Sequence, residues 1–207
     1  GDILLERRNW YLSNAFLPGF WPHAALYVGT RDDLRRLGVA DRPEVRARLE
    51  AFRAPAADGG PCTVIESVSE GVIFNSLSHS MHADYVAVLR PRLPPERIAE
   101  AVVRAFSHQG KPYDFEFDFF TSDKLVCTEL VYRAYEGSLH FDLVRVMGRD
   151  TLPAIEIVRK FARERGTARA ELDLVGFLDG DPATRSARLV DEETFCRSAD
   201  RPRVFDD

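Results

Sequence analysis

Apolar and polar positions along the chain divide it into short strands and amphipathic helices. The opening "GDILL" reads as a strand lead-in, and "HAALYVG", from His23 to Gly29, as a second strand stopped at a glycine. The period of two puts His23, Ala25 and Tyr27 on one face of that strand and Ala24, Leu26 and Val28 on the other. "CTVIESV" (62–68) and "GVIFNSL" (71–77) predict a hairpin about Ser69, Glu70 and Gly71, and "DYVAVLRP" (84–91) a strand halted by proline. A helix then starts at Pro95, lines up Ile98, Ala101, Val102, Ala105 and Phe106 on one face, and stops at Gly110. "KLVCTELVYRAYEG" (124–137) has helical spacing through Leu130, Val131, Ala134 and Tyr135, with Gly137 as its stop. A later helix, "PAIEIVRKFARERG", and a further strand, "LDLVGFL", come after it. Between the second strand and the hairpin, residues 30–60 are Arg-rich, helical in parts and closed by a Pro/Gly/Ala turn, which predicts a surface insertion. These elements make one domain over residues 1–178, followed by a polar, turn-rich tail over 179–207.

Composition narrows the classes of function. With 45% hydrophobic and 29% charged residues, the 207-residue chain has material for one core. Its net charge of −5 comes with no basic stripe, so nucleic acid is excluded as an expected partner. No apolar run approaches the roughly 20 residues that cross a bilayer, and "GDILLERRNW" lacks the pattern of a signal peptide, so the expectation is a soluble chain. A membrane surface stays open as a partner but is not indicated. The sequence starts at Gly1 without a methionine, which leaves the compartment open. Three cysteines, Cys62, Cys127 and Cys196, form no CxxC pair, and an odd number leaves at least one thiol free.

Cys127 falls near the start of the helix that Ser122 or Asp123 would cap, where backbone N–H groups favour a thiolate. Its alternative is a small buried side chain on the face of Val131 and Ala134. Cys62, in a strand, and Cys196, in the tail, read as packing or surface residues. A cysteine nucleophile needs a base, and histidine suits that task. His108 sits by a helix stop, where a cation suits the dipole, and His140 lies in a linker. His79 and His82 lack a clear third ligand, so no metal is expected. His23, at the first position of its strand, belongs to a sheet rim. Glu66 interrupts the apolar row Val64–Val68, which calls either for an imidazole partner or for an edge strand facing water. Phe16, Leu17, Phe20, Trp21 and Tyr27 are candidates for an apolar substrate groove, or else for closing the core.

In order along the chain, "GDILLERR", "WPHAALYVG", "TVIESVSEGV", "VLRP", "GKPYDFEFD" and "KLVCTELVYRAY" resemble the permuted papain-like cysteine enzymes of the YiiX/YaeF type, within the wider NlpC/P60 superfamily. The resemblance spans about residues 1–137, and the histidine motif precedes the cysteine motif, as circular permutation implies. It implies an α+β fold, with a small antiparallel sheet or open barrel packed against the nucleophile's helix. It also implies Cys127 as nucleophile, His23 as base, Glu66 as the residue orienting that base, and Tyr113 as a lining of the oxyanion site. No cofactor is implied. The activity implied is acyl transfer through an acyl-enzyme on an amide, in a cell-wall peptide or an acylated amine. The alternatives are lipid ester or thioester chemistry and a non-catalytic peptide- or lipid-binding module. Such relatives imply a bacterial cytoplasm or cell envelope.

Overall fold

The computed structural model describes residues 1–9, 18–115, 123–146 and 148–202. In chain order these form β1 (Ile3–Arg7), β2 (His23–Tyr27), α1 (Arg31–Arg36), α2 (Pro43–Arg53), β3 (Cys62–Val68) and β4 (Gly71–Ser76). Then come the single turn α3 (Leu77–Ser80), β5 (Tyr85–Pro91), α4 (Pro95–His108) and α5 (Cys127–Ala134). The remainder is a short hairpin β6 (Val144–Val146) and β7 (Arg149–Thr151), α6 (Ala154–Glu164), β8 (Leu172–Asp181), β9 (Ser186–Val190) and α7 (Glu192–Arg197).

The architecture is α+β, built on one seven-stranded antiparallel sheet in the order β4-β3-β2-β1-β5-β8-β9. It is larger than the small sheet expected, and it is not closed into a barrel. The reason lies in the C-terminal part. β8 runs through residues 178 and 179 without a break, and β9 adds a further strand inside the segment read as a polar tail. That segment also packs inward, because Phe195 is fully buried and Trp21 Nε1 donates to Ser198 Oγ at 2.8 Å.

The two faces of the sheet differ. Ile3, Leu5, Ala24, Leu26, Ile65, Phe74, Ala87 and Leu89 join the main core with residues of α4 and α5. The opposite face holds a small apolar cluster of Leu4, Ala25 and Val64, with Tyr27 against it. Residues 30–60 contribute to the main core instead of riding on the surface. Leu34, Val39, Val45 and Phe52 are buried there, and the Phe52 ring lies 5.1 Å from Phe74 and 5.2 Å from Phe106, centroid to centroid. The Arg-rich composition hid an apolar stripe, since Val45, Leu49 and Phe52 recur at helical spacing while the arginines occupy the other faces.

One glycine fixes the β3–β4 hairpin to the residues just beyond α4. Gly71 has φ of +105°, and a Cβ there would meet the Lys111 carbonyl oxygen at 2.5 Å. The close approach permits Val72 N–H to donate to Lys111 O and Gly110 N–H to Val72 O, which aims the chain after α4 toward the start of α5.

Candidate active site

Cys127 is the first residue of α5, and Val126 is the N-cap with no side-chain cap of its own. The capping expected from upstream is not what holds this terminus. Asp123 lies in a bend before the helix, and Ser122 falls outside the described residues. The start is fixed by Glu129, at the third helical position, whose carboxylate accepts from the Val126 N–H and from Arg133 Nε and Nη2, both at 3.1 Å. Ser67 Oγ in β3 donates to Leu125 O at 2.6 Å and ties the same turn to the sheet. The thiol thereby reaches the beginning of β2, where Ala24 N–H and Thr128 N–H donate to Sγ and Pro22 O lies 3.9 Å away. Arg7 Nη1 donates to Phe20 O at 2.6 Å, steadying the approach to that strand.

At the first position of β2, His23 meets the sulfur at the end of the sheet instead of through it. Its Nε2 lies 2.9 Å from Glu66 Oε2, so the ring's hydrogen bond with Cys127 falls to Nδ1. The other oxygen of Glu66, Oε1, accepts from Asn75 Nδ2 at 2.8 Å and from Ser80 Oγ at 3.1 Å. A second carboxylate joins from β1. Glu6 pairs directly with His23 across the strands, places Oε1 4.0 Å from Nε2, and has Oε2 3.4 Å from Arg8 Nη2. Arg8 Nη2 also donates to the carbonyls of His79 and Ser80, joining this group to α3.

Electrostatics follow from burial and these contacts. Burial alone pushes the Cys127 thiol up, but the charge of His23, its ring hydrogen bond and the two backbone N–H groups overcome this and lower the thiol pKa. For His23, burial opposes the cation. The thiolate, hydrogen bonds to Cys127 and Glu66, and the charge of Glu6 outweigh it and raise the imidazole well above its usual range. The pair therefore favours thiolate and imidazolium. Burial also disfavours the Glu66 carboxylate, yet bonding and charge from His23, with Asn75 and Ser80, bring its pKa down to about 2. Glu6 moves the other way, because burial outweighs His23 and Arg8. Glu129 is raised to about 7 by burial despite Arg133.

The sequence-derived residues separate into those that meet the thiol and those that do not. Cys127, His23 and Glu66 form one connected cluster, and the carboxylate is buried, not solvent-facing. Tyr113 bridges to Leu125 beside the α5 start, and its hydroxyl is kept neutral by burial and by the nearby thiolate and Asp114. Phe20 and Trp21 do not form a groove wall. Trp21 is fully buried against Phe177 and Phe195, and Phe20 stacks edge-on against Trp21 and Tyr85. The apolar "FW" pair thus closes the core over the C-terminal elements. Tyr27 sits in the small cluster of the opposite face, four residues along β2 from His23 and so about 13 Å away. Phe16 and Leu17 lie outside the described residues. Sequence reasoning missed Glu6, Asn75 and Ser80. The Glu6–His23 register was available only from pairing, although alternation does put Glu6 on the face of Leu4. His108 is no helix-end cation, since burial, Lys111 and Arg133 lower it to about 4. Among the described residues, the donor atoms that gather within 4.8 Å of one another belong to Glu6, His23 and Glu66, not to His79 and His82.

No curated protein sequence matches the chain significantly. A solved structure, described as the crystal structure of metalloprotein yiiX from Escherichia coli O157:H7, superposes with a TM-score of 0.47 at 16% identity, over 92% of this chain and 95% of that one. A model of the permuted papain-like amidase enzymes, YaeF/YiiX, C92 family, matches residues 1–172, and the chain belongs to that family.

Proposed function

We propose that the protein hydrolyses an amide bond, in a peptide or an N-acyl amine, with Cys127 as nucleophile, His23 as acid and base, and Glu66 as the carboxylate that orients the ring. The observation that carries this reading is the buried thiol at a helix N-terminus, hydrogen-bonded to an imidazole that Glu66 holds at 2.9 Å. The thiolate attacks the carbonyl carbon, and the tetrahedral oxyanion is met by the Cys127 N–H, which has no partner within the helix, and by the Tyr113 hydroxyl. His23 Nδ1–H then protonates the leaving amine, which departs as the acyl-sulfur bond is retained. Water, deprotonated by the same nitrogen, attacks the acyl-enzyme, releases the acid and restores the thiolate–imidazolium pair. Glu66 stabilises the ring in each step where it is cationic and is itself held by Asn75 and Ser80.

The burial of Phe20 and Trp21 takes two of the candidate groove side chains into the core, which supports the amide over a long-chain lipid ester. Intact-mass analysis after incubation with peptide, N-acyl-amine and lipid-thioester substrates tests the reading. An acyl adduct confined to Cys127, formed from the amides and absent in Cys127→Ala, is the expected result. Adducts from the thioester alone would move the assignment to lipid chemistry. If Cys127 reacts with iodoacetamide at pH 6 no faster than a denatured control, the activated-thiol reading fails and a binding module remains.

A further inference from the structure

The imidazole of His23 faces two carboxylates on the side away from the thiol, which is more than a base-orienting role requires. Glu66 Oε2 lies 2.9 Å and Glu6 Oε1 4.0 Å from Nε2, and the three donor atoms all fall within 4.8 Å of one another. Bonds of about 2.0–2.2 Å from zinc to nitrogen and oxygen at tetrahedral angles put ligand atoms roughly 3.4 Å apart. The observed separations bracket that value. Both carboxylates already have the outer support that metal ligands use, since the second oxygen of Glu66 is held by Asn75 and Ser80 and that of Glu6 by Arg8. His23 has its other ring nitrogen engaged by Cys127. The glutamate side chains are 8% and 3% exposed, whereas the His23 side chain is 17% exposed, so the cluster opens on the imidazole side.

We propose that Glu6, His23 and Glu66 form a site for a divalent cation of the zinc class, with His23 Nε2, Glu66 Oε2 and Glu6 Oε1 as ligands and a fourth position left to solvent. Binding exchanges the Nε2 proton for the cation and releases that proton to water. The ring then keeps one proton, on Nδ1, and giving it up would leave an imidazolate instead of a neutral imidazole. Under the proposed cysteine chemistry, on which this consequence rests, His23 can no longer shuttle a proton between the thiol and the leaving amine. Cation binding and amide hydrolysis exclude one another. Cys127 is not a ligand, because the imidazole lies between its sulfur and the cation.

Zinc titration of the chelator-stripped full chain by calorimetry tests the site. One equivalent should bind to wild type and to Cys127→Ala with affinities within about threefold, and Glu6→Gln should bind at least about tenfold more weakly. Zinc-edge X-ray absorption of the wild-type complex guards against misfolding of the variant, and should show nitrogen and oxygen neighbours only. No binding by wild type, equal affinity in Glu6→Gln, or a sulfur neighbour at about 2.3 Å would each overturn the proposal. Iodoacetamide reaction of the stripped protein at pH 6 separates the two readings. A fast thiol with no zinc bound removes the cation site and leaves the hydrolase, whereas a slow thiol with a nitrogen/oxygen zinc shell does the reverse.

Discussion

Replacing Glu66 by glutamine separates the charge of this group from its shape, and the hydrogen bonds around it decide how the amide sits. Oε1 accepts from Asn75 Nδ2 and Ser80 Oγ, while Oε2 faces His23 Nε2 at 2.9 Å. A glutamine keeps its carbonyl where the two donors point, and so turns its NH2 toward His23. Nε2 must then accept, the ring proton moves to Nδ1, and the nitrogen that should take the thiol's proton is already occupied. Glu66→Ala is expected to be milder, because water can accept from Nε2–H in the space left. With the imidazolium suppressed, the thiol returns toward an ordinary pKa of about 8.5, and at pH 6 on the order of one molecule in 300 carries a thiolate. The higher nucleophilicity of that thiolate recovers part of the loss, so alkylation should slow by about 10- to 100-fold. The assay is the rate of iodoacetamide addition to Cys127 by intact mass across pH 5–9 for wild type and both variants, with thermal unfolding as the check on folding. Wild type should react at pH 6 faster than a denatured control, and Glu66→Gln should rise only as the pH nears the ordinary thiol range. A Glu66→Gln protein that reacts as fast as Glu66→Ala would refute the tautomer argument, and two variants matching wild type would refute any role for Glu66.

The same carboxylate sets an acid limit. Its pKa of about 2, against an ordinary 4.5, contributes stability that is present above 4.5 and lost as the pH falls toward 2, about 3 kcal/mol in all; wild type should lose that much more between pH 5 and 2 than Glu66→Gln does in urea unfolding. Gly71→Ala forces a side chain into a left-handed conformation with a backbone oxygen 2.5 Å away, so unfolding should cost about 2 kcal/mol less and Tm should drop by about 5 °C. An unchanged Tm counts against the close approach between the hairpin and Lys111. Trp21→Phe removes the 2.8 Å bond to Ser198 and some core volume, for about 1–3 kcal/mol by denaturant titration, while the preference among substrates of different acyl length stays as it was. A shifted preference would return Trp21 to the groove.

The strands and helices that carry the site were legible because each combines a strong period with a clear stop. Pro95 opens α4 and Gly110 lies just past its end, as the pattern of "PPERIAEAVVRAFSHQG" predicts. The alternation in β2 and β3 correctly separates His23 and Glu66 from the helix-packed face, with Ala25 and Val64 as their neighbours. What the pattern lacks is long-range pairing. Nothing local in "ILLER" distinguishes Glu6 as a partner of His23, because the antiparallel register of β1 and β2 fixes that contact. The α5 start was misplaced because Ser122 and Asp123 are good capping residue types, whereas the observed device runs backward from Glu129 to the Val126 N–H. The tail was undervalued for a different reason. Its surface is charged, and its few inward residues, Phe195 and Ser198, acquire meaning only once Trp21 is found beneath them.

Two carboxylates on one imidazole also answer differently to acid, and their anchoring explains the order. Glu66 is ionised by a full set of donors, so its charge persists far below neutrality. Glu6 has the ion pair with Arg8 and a more distant His23, and burial outweighs both, so it takes up a proton first as the pH falls. The support for the His23 cation therefore divides into a fixed part from Glu66 and a graded part from Glu6. The fixed part comes from the strand hairpin that Gly71 locks in place. The graded part comes from a cross-strand neighbour, whose distance of 4.0 Å leaves room for a cation between it and the ring. Glu6→Gln should thus weaken cation binding while leaving the thiolate–imidazolium pair in place, since Glu66 alone keeps the 2.9 Å bond to Nε2; a Glu6→Gln protein whose Cys127 alkylates no faster than a denatured control at pH 6 would refute this division.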